Sequence, residues 1–254
     1  MKTISPNRRY LPVDRAVVDG HCTEERVFVP ETRIGFWFLG TETWRAHVIS
    51  VALSDLERLI PERKKSYLVI LDAGCGQGLS FRTLIKHFSP QRLIAFDVEE
   101  KCVQRARVHA SRERIPVDIS QGDVSVLGVP NRSVDLVFCH QTFHHLTQQQ
   151  IALREFYRVL KPGGLLLFAE STRAYIESWI IRLLFRHPMH SQRSADEYMA
   201  MIRAQGFKFG PENISLPYLW WSRPDLGALE FFGCSARAQK EATLINLAAV
   251  KPYE

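Results

Sequence analysis

Apolar positions change period several times along the chain, and each change marks an element. Between residues 43 and 59, Trp44, Val48, Ala52, Leu56 and Leu59 recur at helical spacing, and Pro61 stops the run. Residues 67–73 form an apolar run closed by glycines, the pattern of a strand covered on both faces. Strand and helix patterns then alternate. Helices are predicted over 79–88, 99–114 and 148–160, and strands over 92–97, 117–121, 134–139 and 165–170. Five β units joined by helices predict an α/β, Rossmann-like, doubly wound and mostly parallel sheet with helices on both faces. Further strands near 207–216 and 242–250 would make it seven-stranded. A ligand site is then expected beyond the carboxyl ends of the strands, where their order reverses.

The flanks read differently. Residues 1–40 carry Pro6, Pro12 and Pro30 and lack sustained periodicity. With the helix that follows, they read as an arm or lid over residues 1–60, leaving residues 61–254 as the binding domain. A helical insertion is predicted at about 174–206. It begins with an aromatic helix over 175–186 and continues from Ser194, whose partner Glu197 completes a capping-box spacing, to Gly206. The pattern assigns nothing to 218–234.

Composition narrows the class. At 254 residues, 46% hydrophobic and 24% charged, the chain is long and apolar enough for a globular core. Five cysteines, an odd number without CxxC spacing, argue against a disulfide framework and a cysteine–zinc site, and no metal is expected. With neither a cleavable leader nor a membrane-length apolar run, a cytoplasmic protein is expected. The net charge of +6 comes partly from Arg105, Arg107, Arg112 and Arg114, with His109, on one helix. That pattern reads as a solvated face rather than a nucleic-acid footprint, and the charge only mildly favours an anionic partner.

The sharpest motif is Asp72-Ala73-Gly74-Cys75-Gly76-Gln77-Gly78, directly after the first strand. Its alternate glycines allow a tight turn and close approach of a ligand. Dehydrogenases space their loop GxGxxG, whereas this one reads DxGxGxG. Asp97, ending the second strand, is placed to accept from the two hydroxyls of a ribose. Gly122-Asp123-Val124 follows the third strand, Cys139-His140-Gln141 ends the fourth ahead of Phe143-His144-His145-Leu146, and Leu160-Lys161-Pro162-Gly163-Gly164 makes a turn before the fifth.

These five blocks resemble the class I S-adenosylmethionine-dependent methyltransferases, and in particular the subgroup acting on small molecules. The resemblance covers about residues 68–168 and implies S-adenosyl-L-methionine as cofactor. It implies that Gly74, Gly76 and Gly78, with Ala73 just ahead of them and Cys75 between the first two, cradle the methionine part, and that Asp72 lies near its amino group. Asp97 would bind the ribose, Val98 would pack on adenine, Asp123 would accept from the adenine amino group, and Val124 would lie beside the ring. His140 and Gln141 would line the cofactor near its sulfonium.

A proton-bearing acceptor also needs a base. His144 and His145 are candidates because histidine titrates near neutrality, and Glu170, ending the fifth strand, is a third. Cys139 follows Phe138 rather than proline, which reads as a small core residue and not a nucleophile. The sequence Cys-His-Gln-Thr stands where amino-group methylases of nucleic-acid bases carry Asn/Asp-Pro-Pro-Tyr/Phe, which argues against that chemistry. Acceptor contacts are expected from Phe36, Trp37 and Phe38, from 179–185, and from Tyr218, Trp220 and Trp221. Trp37 is expected at the cofactor, its aromatic face over the sulfonium.

Overall fold

The computed structural model describes residues 29, 31–62, 64, 67–219 and 241–253. Seven strands form one sheet in the order β3-β2-β1-β4-β5-β7-β6: β1 Val69–Ala73, β2 Arg92–Asp97, β3 Asp118–Gln121, β4 Val134–His140, β5 Leu160–Ser171, β6 Ile214–Ser215 and β7 Leu244–Val250. The first five run parallel, and β7 pairs antiparallel with both β5 and β6. The order reverses between β1 and β4, where Ala73 stands level with Phe96 on one side and Cys139 on the other. The expected doubly wound sheet is present, with its crevice above β1 and β4.

Helices α1 Arg33–Phe38, α2 Glu42–Trp44 and α3 Ser50–Leu59 precede β1, with a π-helical turn at Arg45–Ile49 between α2 and α3. The crossover helices are α4 Phe81–Phe88, α5 Glu100–Arg112 and α6 Gln149–Val159. One face of the sheet buries Phe143, Phe156, Phe168 and Tyr198 in a shared cluster. The other buries Phe81, Phe88, Tyr67 and, from the N-terminal helices, Ile49, Leu53 and Leu56. Helix α3 is therefore built into the core, and the lid reading narrows to the segment ahead of it. Residues 1–28 of the proposed arm lie outside the described residues.

Two predicted elements differ. The expected helix over 175–186 is two short ones, α7 Arg173–Ile176 and α8 Trp179–Leu184, because Ser178 takes an extended backbone. Ile176 and Ile181 are both buried, yet positions five apart fall off a single helical stripe, and the break lets each turn inward. The strand expected over 207–216 shrinks to a bridge at Lys208 and to β6, because Pro211 removes a ladder donor and opens a 3-10 turn. The capping box at Ser194 and Glu197 forms as expected and starts α9 Ala195–Ala204. Among the described residues no helix is long and apolar enough to cross a membrane.

Candidate active site

The glycine loop leaves β1 through three left-handed backbones: Gly74 at φ +82°, Gly76 at +52° and Gly78 at +81°. They serve different ends. A Cβ on Gly74 would collide with Thr142 and one on Gly78 with Phe81, so those two permit close packing of the protein on itself. A Cβ on Gly76 would meet nothing within 4 Å, so this glycine faces open space. The N–H groups of Gly74 and Cys75 donate to the Phe96 carbonyl at 2.8 and 2.9 Å, fixing the loop to the end of β2. Asp97 accepts from the N–H of Gly76 at 2.8 Å with one oxygen and from that of Glu99 at 2.9 Å with the other. Asp72 accepts from the Ser80 hydroxyl.

A cleft opens above this loop, lined by Asp72, Gly74, Gly76, Asp97, His140 and Gln141 among others. No described lysine or arginine lines it. Burial pushes the Asp72 carboxyl up to about 7 and that of Asp97 up to about 6. Two carboxylates held in low dielectric without a cation form a site that a positive ligand completes. S-adenosylmethionine, with an ammonium and a sulfonium, fits this donor set and the open face of Gly76. A dinucleotide pyrophosphate would meet carboxylates and no cation.

A larger cavity of about 1280 Å³ adjoins the cleft; His140, Gln141, His145, Leu39, Trp44 and Glu31 line both. Its walls are mainly apolar and come from α1, the π-helical turn, α3, α7 and α8. At the junction, the His140 Nε2 is buried and has no partner among the described residues. Burial lowers this imidazole to about 4, so its ring is neutral.

Glu170 is fully buried beneath the junction. It accepts from the N–H of Thr142 at 2.9 Å and of Phe143 at 2.8 Å, and its other oxygen lies 2.6 Å from His144 Nδ1. This carboxylate therefore holds the chain that leaves β4. It lines neither cavity, so the expectation that it could act as base or hold the acceptor is corrected: its carboxylate is taken up by holding the turn after β4. His144 lines the large cavity, and His145 lines both.

The remaining expected residues divide. Val98 and Cys75 line the cleft with the glycine loop, while Ala73 lies buried in β1. Val124 is buried in the core, and Asp123 accepts from the N–H of Ser125 at 2.7 Å, its carboxylate capping a turn. Cys139 is buried in β4, its thiol 3.6 Å from Glu170. Trp37 departs from expectation: it is 66% exposed and borders the large cavity, not the cleft. Residues 33–38 form a helix capped by Thr32 rather than an extended arm, and a helix cannot aim three consecutive rings one way. The Phe36 ring lies under Arg105, and Phe38 packs edge-on against Trp44 and Phe185. Trp220 and Trp221 lie outside the described residues.

Sequence reasoning missed Gln77, which closes the segment over the cleft by donating to the Phe36 carbonyl at 2.6 Å. It also missed Glu31 and His187, whose neighbours come from distant parts of the chain.

Residues 71–168 match the family of methyltransferase domains. Over 107 residues the chain is 35% identical to a malonyl-[acyl-carrier protein] O-methyltransferase of Yersinia pestis, covering 40% of this chain and 36% of that one. It is 27% identical over 130 residues to a ubiquinone biosynthesis O-methyltransferase of Coxiella burnetii, covering 51% and 53%. The chain thus spans about half, or less, of the length of the curated relatives it matches. A crystal structure of a SAM-dependent methyltransferase from Aquifex aeolicus superposes with a TM-score of 0.60 at 18% identity, over 85% of this chain and 97% of that one.

Proposed function

We propose that this chain, whose residues 71–168 form a class I, Rossmann-like S-adenosylmethionine-dependent methyltransferase domain, transfers the methyl group to an apolar small-molecule acceptor seated in the large cavity. The observation that carries the reading is the contact between a carboxylate-lined cleft and an apolar cavity at His140, Gln141 and His145. The cofactor supplies a cationic sulfonium with a good leaving group. The chain's own task is alignment and exclusion of water, and alignment alone can contribute ~7 to 11 kcal/mol.

Within this reading Asp97 holds the ribose, Asp72 stands near the amino group, and Gly76 gives the backbone room to approach. His140 offers its unpartnered Nε2 to the ligands where the two spaces meet. Asp123 and Val124 line neither space, and Val98, which lines the cleft, is the residue placed to pack on adenine. Ile34, Trp37, Val51, Ile181 and Leu184 form acceptor walls. One relative acts, by its description, in ubiquinone biosynthesis, which agrees with an apolar acceptor.

The test is incubation with methyl-deuterated S-adenosylmethionine and a panel of acceptors, from quinols and long-chain acyl compounds to polar amines and RNA, read by mass spectrometry. Label on the apolar acceptors alone supports the proposal. Label only on polar amines or RNA contradicts it.

A further inference from the structure

We propose that His144, His145 and His187, with Glu31, form a binding site for one divalent cation of the zinc class at the junction of the cleft and the large cavity. One ring nitrogen from each histidine lies within 4.8 Å of the other two. The three ring centroids stand 4.3, 4.9 and 5.1 Å apart. His145 Nε2 is 3.4 Å from Glu31 Oε1. Ligands at ~2.0–2.1 Å around a tetrahedral ion sit about 3.3 Å from one another, so that pair already has the spacing of two ligands on one centre. Small side-chain rotations bring the remaining nitrogens in.

The surroundings fit metal ligation in one further way. His144 Nδ1 is engaged by Glu170 at 2.6 Å, which puts the proton on Nδ1 and leaves Nε2 free. A carboxylate behind a histidine in this manner is the usual support of a metal-bound imidazole.

The four residues come from three separated segments: the stretch ahead of α1, the turn after β4, and the insertion after α8. An ion there clips the N-terminal segment shut over the cleft. That consequence rests on the methyltransferase reading; cation binding itself does not.

The test uses tag-free protein stripped with chelator and titrated with Zn²⁺ by calorimetry, alongside Co²⁺ as a visible probe of coordination. One ion per chain is expected, with the intense absorption of tetrahedral Co²⁺. His187→Ala should weaken Zn²⁺ binding about tenfold or more, on the scale of losses known for groups around a metal. His190→Ala, exposed and outside the cluster, should leave it unchanged. Titration of the same samples with S-adenosylhomocysteine separates the two ideas, since His187 does not line the cleft. Intact S-adenosylhomocysteine binding without stoichiometric Zn²⁺ binding overturns the metal site alone. Unchanged Zn²⁺ affinity in the folded His187→Ala variant does so as well.

Discussion

Glu170 Oε2 lies 2.6 Å from His144 Nδ1, and both side chains are almost wholly buried. The pair joins the end of β5 to the turn after β4, so one carboxylate orients the imidazole facing the large cavity. Glu170→Ala leaves that imidazole and the N–H groups of Thr142 and Phe143 without their acceptor. Leaving a buried donor without its acceptor costs about 1–3 kcal/mol. Urea denaturation should show a loss of that size, and Glu170→Gln a smaller one. An unchanged midpoint in Glu170→Ala would show that the carboxylate does not hold the turn.

Asp97→Ala should weaken S-adenosylhomocysteine binding about tenfold to more than a hundredfold, since each hydrogen bond to a charged acceptor is worth ~1.5 to 3 kcal/mol. The variant also loses the contacts to Gly76 and Glu99, so its thermal midpoint should fall modestly. Full affinity in a folded variant would reduce Asp97 to a loop cap.

Gly74 and Gly76 should respond oppositely to alanine. Gly74→Ala forces a Cβ into Thr142 at an unfavourable φ and should destabilise the fold. Gly76→Ala meets open space and incurs only the strain of its left-handed φ of +52°, so the protein should stay folded while cofactor affinity drops. Thermal shift and calorimetry on both variants check the pattern, and equal loss of stability in the two would contradict it.

These contrasts mark where the sequence was legible. The sheet, the loop spacing and the position of Asp97 follow from strict periodicity and from chemistry confined to a few adjacent residues. Trp37 could not be placed because its direction depends on whether residues 33–38 coil, which Thr32 decides by accepting from the Gly35 N–H at 2.9 Å. Glu170 stood beside the expected site in sequence, but its burial depends on β7 covering β5. The Glu31, His145 and His187 grouping has no sequence spacing at all, since the fold alone brings the three together.

Acidity should weaken cofactor binding. Burial raises Asp72 to about 7 and Asp97 to about 6 from the ordinary aspartate value of 3.8. For such raised groups the ligand-free fold loses stability as pH rises through the window from the unfolded to the folded value. A cationic ligand favours the charged carboxylates, so its affinity is greatest above about 7 and falls as they take up protons. S-adenosylmethionine, which carries an ammonium and a sulfonium, should bind roughly tenfold or more tightly at about pH 8 than at about pH 5.5. A flat profile, or tighter binding in acid, would contradict the electrostatic account.

Trp37→Ala should separate the two spaces. The side chain borders only the large cavity and is 66% exposed, so S-adenosylhomocysteine affinity should hold while the acceptor KM rises about two- to fivefold, below the ~1.5 to 3 kcal/mol of a fully buried large apolar side chain. Loss of cofactor binding in this variant would return Trp37 to the cleft.

The most direct measurement is a calorimetric comparison of S-adenosylhomocysteine with NAD on the full chain. Carboxylates without a lysine or arginine, below an open Gly76, should bind S-adenosylhomocysteine at one per chain and give no heat with NAD. Saturable NAD binding without S-adenosylhomocysteine binding would contradict the account.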